Sequence, residues 1–505
     1  MITATHKGKY YDVEYSIVNV SELDRELRID AEYYDPYYIQ NLLKLKQKGG
    51  IYLSKNKFFI KRGVQPKYSD NQTEYLALNS VHILDGDINF AEARFIDQDF
   101  YFQKIQFSFK YKDILVNSTG VGTLGRVAYM YEKNKKGIVD NHITRIRILD
   151  QKLKILPEYL FSFLRSRYGQ LQIERLFRGS SGQIEIYPSD FTYLFVPIPS
   201  EQFQKQIEKL VLKAYEERQK AEQLYKQAKE ILLEELGLKN WKPKTKKIKI
   251  CGIEFEEEEN ISIRMLSEVM KADRMDAEHW EPKYDELEEK IRSFEYEKLY
   301  KLASNSYETF NPENCDYFYY LEIANVDLAT GDYELKKLPC SSVPSRAKKL
   351  VEEKDILVST VRPNRNAVAF IIRKDKDPFV ASTGFCKLRV TDERILPEYL
   401  FGLFKTDLYK ELLVRKTTAT MYPAVSENDI MQLDIPILSK DTQEHIKDMI
   451  IEGFQSKENS KKLLEIAKRT VEIYIENDED NALKYAKKHI QKLHLSDSGG
   501  MCNDS

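Results

Sequence analysis

The chain has 505 residues, 42% hydrophobic, 12% aromatic and 31% charged, which suits roughly two to four domains of about 150 residues each. A mean hydropathy of −0.53 and the lack of any apolar run near the 18 or so residues of a membrane span point away from a membrane protein. A net charge of −2 and a pI near 6.5 argue against coating nucleic acid by bulk electrostatics, so any DNA contact must use local patches.

At the N-terminus, MITATHKGKYYDVEYS lacks the apolar core of a signal peptide, and a cytoplasmic protein is expected. Next, SIVNVSELDRELRIDAEYYDPYY (Ser16 to Tyr38) matches SIRMLSEVMKADRMDAEHWEPKY (Ser262 to Tyr284) at ten positions with a constant offset of 246. Shared residues include Arg28 with Arg274 and the Asp30-Ala31-Glu32 run with Asp276-Ala277-Glu278. Further matches follow in the same order: Tyr75-Leu76 with Tyr320-Leu321, DILVNST from Asp113 with DILVSTV from Asp355, and ILPEYLF at both Ile155 and Ile395. The offset drifts only to 239. The chain is an internal duplication, with a repeat far longer than a solenoid unit.

Within each copy the middle section alternates apolar and polar residues and is rich in β-branched and aromatic types, as in FFIKRGV, EYLALNSV, ILVNST, RVAYMY and HITRIRIL. That is strand chemistry. LPEYLFSFLRSRYGQLQIERLF then has helical periodicity, before the polar turn GSSGQIEIYPSDF and the strand YLFVPIP. The expected class is α/β mixed (α+β), strand-dominated in the middle of each copy.

Ile207 to Leu238 follows as 32 residues without proline, and Gly237 stands where a helix C-cap belongs. Ile207, Val211, Ala214, Arg218, Ala221, Tyr225, Ala228 and Leu232 alternate steps of four and three, the seam of a heptad repeat. Adding 239 gives Ile446, Ile450, Gly453, Lys457, Ser460, Leu464, Ala467 and Val471 in the same phase. The partner helix is therefore expected in the same chain, with Arg218 and Lys457 as polar seam residues fixing register. Between the copies, Lys239 to Glu259 reads as an exposed hairpin or linker, and the tail beyond Glu476, ending LSDSGGMCNDS, as disordered. The expected layout is a first strand-rich domain over 1–200, a long helix over 201–238, a linker over 239–261, a second domain over 262–439, a second helix over 440–476 and a tail over 477–505.

GVGTLG at Gly120 to Gly125 fits the dinucleotide-loop pattern, but the strand RVAYMY follows it, so it reads as a loop between strands. DPYY at Asp35 reads as the end of a surface turn, and Asp113 and Asp355 read as turn residues before apolar strands. Five cysteines lack metal-like spacing, so neither a disulfide framework nor a metal site is expected. No catalytic motif stands out. Polar loops at matching places do: Ser118, Thr119, Thr123 and Arg126 against Ser359, Thr360, Arg362, Asn364 and Arg365; Arg178, Ser180 and Gln183 against Lys416, Thr418 and Thr420. The first copy adds Lys57, Lys61 and Arg62 from a cation-rich stretch, and Asn141, His142 and Arg145 from DNHITR. Hydroxyls, amides and guanidinium groups are the types that hold phosphates and read base edges. Singly, a solvated loop explains each; as a set they favour a DNA-binding face.

With two variable domains that each close in LPEYLF, a polar turn, an IP strand (Val196 to Pro199, Ile435 to Leu438), a glutamine (Gln202 or Gln204, and Gln443) and a long helix, the chain resembles the DNA-specificity subunits of type I restriction-modification systems. The resemblance covers nearly the whole sequence. It implies two target recognition domains, each reading half of a split site in double-stranded DNA, spaced by an antiparallel coiled coil. Thirty-odd residues at about 1.5 Å per residue make a rod of roughly 50 Å, comparable with one to one and a half turns of DNA. It further implies a non-catalytic subunit without cofactors of its own. Two methyltransferase subunits and a restriction (translocase/nuclease) subunit would carry S-adenosylmethionine, Mg2+ and ATP. A DNA-binding or interaction scaffold of another defence assembly, and an enzyme with an unrecognised nuclease or methyltransferase site, are the alternatives.

Overall fold

The computed structural model describes residues 2–7, 12–23, 28–120, 122–150, 152–179, 184–242, 246–250, 253–257, 262, 264–372, 377–418 and 422–493. The chain divides into two compact units, Met1–Arg218 with Glu458–Ser505, and Gln219–Lys457. The divisions fall just after the two seam cations.

In unit one a four-stranded antiparallel sheet runs Val127–Tyr129, Ile114–Asn117, Ile143–Ile148, Phe58–Arg62. Unit two repeats it as Val368–Phe370, Ile356–Ser359, Phe385–Val390, with the edge strand reduced to Ala303–Ser304. A second sheet in each unit is built on one parallel pair, Tyr75–Leu78 with Lys136–Val139 and Tyr317–Leu321 with Phe379–Ser382. Strands buried on both faces explain why ILVN and ILVS read as continuous apolar runs.

The turn before the second strand is fixed identically in both units. Asp113 is wholly buried; its carboxylate accepts from the Lys110 amide at 2.8 Å and from Arg147 Nη2 at 2.7 Å. Asp355 accepts from the Glu352 amide and from Arg389 Nη2, each at 2.8 Å. The turn-residue reading of both aspartates holds. DPYY, by contrast, starts a helix: Asp35 caps Pro36–Gln47 by accepting from the Tyr37 amide at 2.8 Å, and proline at the first position is pre-set for helical φ. The LPEYLF helix stops sooner than its periodicity suggests. Ser166 adopts extended backbone and caps a second helix, so the stretch is Pro157–Arg165 followed by Arg167–Arg175.

The two long helices are Glu201–Glu235 and Lys440–Glu476. Gly237, at φ +62, closes the first as expected. In unit one Phe203 packs on Tyr474 with centroids 5.1 Å apart; in unit two Tyr225 packs on Phe454 at 5.4 Å. Within unit two Tyr225 lies against Gly453 while Leu232 and Ile446 meet around Gly402, so position rises along one helix as it falls along the other and the pairing is antiparallel. Gly453 makes room for this, since a Cβ there would stand 3.1 Å from the Tyr225 ring. Each helix also buries a face against strands of its unit. Tyr215 stacks on Tyr129 and Tyr131, and Phe454 packs on Phe370 and Phe401. The buried stripe is thus wider than a two-helix seam. Arg218 pairs with Asp87, and Lys457 with Asp327 at 2.5 Å, so both seam cations tie helix to domain instead of facing each other in the seam.

Three further expectations change. Lys246–Ile250 and Ile253–Glu257 do form a hairpin, but Ile2–Lys7 pairs with Asp12–Ile17 as another that the pattern did not suggest. Cys315 and Cys340 form a disulfide, because the pairing of Tyr317 with Pro339 brings the ends of two strands together. Glu479–Lys492 is a helix packed on unit one through Ala482 and Ala486, with Glu479 accepting from the Ser200 amide at 2.8 Å; LSDSGGMCNDS lies outside the described residues. No described helix is long and apolar enough to cross a membrane.

Candidate nucleic-acid interface

In unit one, antiparallel register brings three chain segments to one end of the four-stranded sheet. Arg62 ends its strand opposite Thr144, and Asn117 pairs with Ile143. Thr119 and His142 lie just beyond, joined by a hydrogen bond between Thr119 Oγ1 and His142 Nδ1. The polar turn folds over them. The Ile186 amide donates to the Ser118 carbonyl at 2.9 Å, and Arg178 and Glu185 exchange two backbone hydrogen bonds, each 2.9 Å.

On this platform Tyr187 is 43% exposed, with the Arg62 and Arg178 guanidinium carbons each 5.6 Å from its ring centroid. Arg62 Nη2 donates to the Ile186 carbonyl at 2.6 Å and to Glu185 Oε2 at 3.0 Å. The Tyr187 hydroxyl and then Arg62 hold the Glu185 carboxyl below its usual range. Asp140 accepts from the His142 amide at 2.9 Å, and burial pushes its carboxyl up to about 6.

Unit two builds the same platform from different residues. The Thr360 amide and hydroxyl both donate to the Gly384 carbonyl at 2.9 Å, and the Val425 amide donates to the Thr360 carbonyl at 2.9 Å. The Arg362 amide donates to Pro423 at 2.7 Å, and its guanidinium lies 5.2 Å from the Tyr422 ring, which is 62% exposed. Arg362 and Asn366 both have positive φ, at +51 and +54. The loop between them is a single 3-10 turn that leaves Asn364 and Arg365 exposed beside exposed Thr418.

Of the residues expected to bind, Arg62, Thr119, His142, Arg178, Thr360, Arg362, Asn364, Arg365 and Thr418 gather at these two strand ends. Thr123 and Arg126 follow Thr119 in the same loop, half-buried, and Asn141 is half-buried beside His142. Lys61 lies 5.5 Å from the Phe59 ring, on the strand. Burial holds Lys416 below the usual lysine range.

Four residues are placed differently. Lys57 lies at the opposite end of its strand, its carbonyl accepting from Leu149. Arg145 is 1% exposed and donates to the carbonyls of Ser108 at 2.6 Å and Gln106 at 3.2 Å. Ser118 donates to Thr144 Oγ1 inside the sheet, and Ser359 is buried against the Val361 carbonyl. None of these four is offered to a ligand at the cluster. Ser180, Gln183 and Thr420 lie outside the described residues. The sequence reading passed over Tyr187 and Tyr422; the tyrosine-proline pair following each polar turn was the available signal.

The turn is held from the other side as well. Arg28 clamps Asp30, with Nε at 2.9 Å, and donates to the Phe177 carbonyl at 3.2 Å; Arg274 clamps Asp276, with Nε at 2.6 Å, and donates to Thr417 at 2.8 Å. The identities shared near the start of each copy thus position the turn. Among the described residues no group of three or more His, Cys, Asp or Glu is placed to hold a metal ion.

A duplicated scaffold that presents arginine-stacked tyrosines and polar loops, one set per unit, has the character of a recognition protein. No family model matches the chain. Over 111 residues it is 32% identical to the type I restriction enzyme HindI specificity subunit of Haemophilus influenzae, a match covering 21% of this chain and 24% of that one. The chain thus spans about a quarter of the length of that curated relative. Among solved structures, the HsdS subunit from Thermoanaerobacter tengcongensis is 27% identical over 36% of this chain and 47% of its own, with a TM-score of 0.29. The type I S subunit from M. genitalium is 15% identical over 86% and 94%, with a TM-score of 0.36. Over those 111 residues the chain is similar to the specificity subunit of a type I restriction enzyme.

Proposed function

We propose that this chain is a non-catalytic DNA-specificity subunit that reads a two-part site in duplex DNA. Each unit takes one half, and the chain directs methyltransferase and restriction subunits to the site. The observation that carries the reading is the repetition of one platform with different contact residues: Arg62, His142 and Tyr187 in one unit, Arg362, Asn364 and Tyr422 in the other. A duplicated frame with diverged tips suits two unlike half-sites, because base edges are told apart by the hydrogen-bonding groups presented to them. Helices of 35 and 37 residues suit a spacer of roughly 50 Å at about 1.5 Å per residue. Location in the cytoplasm, where such partners and DNA meet, belongs to the same proposal.

The test is sequencing of modified bases in the source genome with and without the gene. Loss of methylation at one split motif supports the role and gives both half-sites. An unchanged methylation pattern removes the methyltransferase partnership and leaves a DNA reader or scaffold of another assembly.

A further inference from the structure

The tip of unit one carries a carboxylate among its cations. Glu185 cannot bind phosphate; beside a DNA backbone its charge is repulsive, so in a phosphate-binding tip it would only weaken the complex. It is nonetheless held firmly. Its backbone is bonded in both directions to Arg178, and its Oε2 stands 3.0 Å from Arg62 Nη2. The Arg62 guanidinium is itself fixed by the Ile186 carbonyl and by the Tyr187 ring. Both side chains keep part of their surface free, 23% for Arg62 and 32% for Glu185.

An acceptor fixed about 3 Å from a guanidinium matches one base-pair edge. In the major groove guanine offers the N7 and O6 acceptors that arginine takes, and its cytosine offers the N4 amine that glutamate takes. We infer that Arg62 and Glu185 together read a single G·C pair in the half-site of unit one, Arg62 donating to the guanine and Glu185 accepting from the cytosine N4 amine. At the corresponding step of the second copy stands Ala424, which exchanges two backbone hydrogen bonds with Thr418 as Glu185 does with Arg178. A methyl group there accepts nothing, so the fixed G·C pair belongs to one half-site only. The inference rests on the DNA-reading function proposed above and adds the base pair and the residues that select it.

The test is selection of binders from duplexes randomised over both half-sites, using the full chain as wild type, Glu185→Ala and Glu185→Gln, each first checked for an unchanged melting profile. The wild type should enrich a two-part motif with a G·C pair fixed at one position of one half. Glu185→Ala should lower discrimination at that position alone by roughly 10- to 100-fold. Glu185→Gln retains an acceptor for Arg62 but adds an amide donor, and should move the preference there toward A·T. A purely structural role for Glu185 would instead weaken every duplex alike. That result, or an unchanged motif in both variants, overturns the inference while leaving the DNA-reading function standing. A folded wild-type chain that enriches no motif overturns both.

Discussion

The two ends of each four-stranded sheet have been kept under different constraints. At one end the units repeat each other atom for atom: Asp113 with Arg147, Asp355 with Arg389, and an aspartate oxygen on the backbone amide three residues earlier in both. Close by, Gln204 and Gln443 make the same three hydrogen bonds, accepting from Leu156 or Leu396 and donating to two carbonyls of the turns they bridge. At the other end only the backbone scheme is shared. His142 against Gly384, and Glu185 against Ala424, show side chains free to change once the frame is fixed. The contrast separates residues that define the fold from residues that define what it touches.

Substitutions at the shared end should act on stability. Asp113→Ala leaves half-buried Arg147 without its carboxylate and the turn without its cap, and should destabilise unit one by about 3 kcal/mol in denaturant unfolding. Asp355→Ala should have a smaller effect on unit two, because Arg389 keeps Glu352 at 2.9 Å. Equal losses would show that this second carboxylate does not compensate. Gln204→Ala and Gln443→Ala should each remove about 2 kcal/mol through buried groups left unsatisfied. A difference above about 1 kcal/mol between them would break the equivalence of the two copies.

At the variable end Asp140 supplies a pH signature. Its folded-state carboxyl titrates near 6 because burial disfavours the charge. Its contribution to stability is therefore fully present below the ordinary carboxyl range and is lost as pH rises through about 6. Asp140→Asn should gain about 1 to 2 kcal/mol on the wild type between pH 4 and 7; parallel pH profiles would refute the assignment. The smallest effect expected is on binding: Tyr422→Ala should leave melting unchanged and weaken duplex binding about threefold by removing the ring that steadies the Arg362 guanidinium.

Much of this frame was legible in the sequence. The repeat followed from residue identities at a nearly constant offset and the strands and helical seam from apolar periodicity, and Ile207, Val211, Ala214 and Leu232 are all fully buried. What escaped depends on register. ITRIRI places Arg145 and Arg147 on one side of a strand, yet one is sealed against carbonyls and the other clamps Asp113. Period two says which side chains share a face, not what covers it. Lys57 and Arg62 are five residues apart in a run of cations, and only strand pairing shows that they stand at opposite ends. Tyr187 and Tyr422 went unread because a tyrosine beside a proline is ordinary turn composition until an arginine is seen lying on its ring.

The strands that enter and leave each recognition region lie side by side: Gly50–Tyr52 pairs with Phe195–Pro197, and Tyr296–Lys298 with Asp434–Pro436. Everything between them, including all of the variable loops, is therefore inserted through a single two-stranded doorway. In genetic terms each region is a cassette. A recombination with crossovers at these two strands would exchange everything between them while leaving the long helices and the backbone pairing at the doorway as they were. Under the DNA-reading function proposed above, new specificity would then be reached in one event instead of by stepwise mutation of a bound surface.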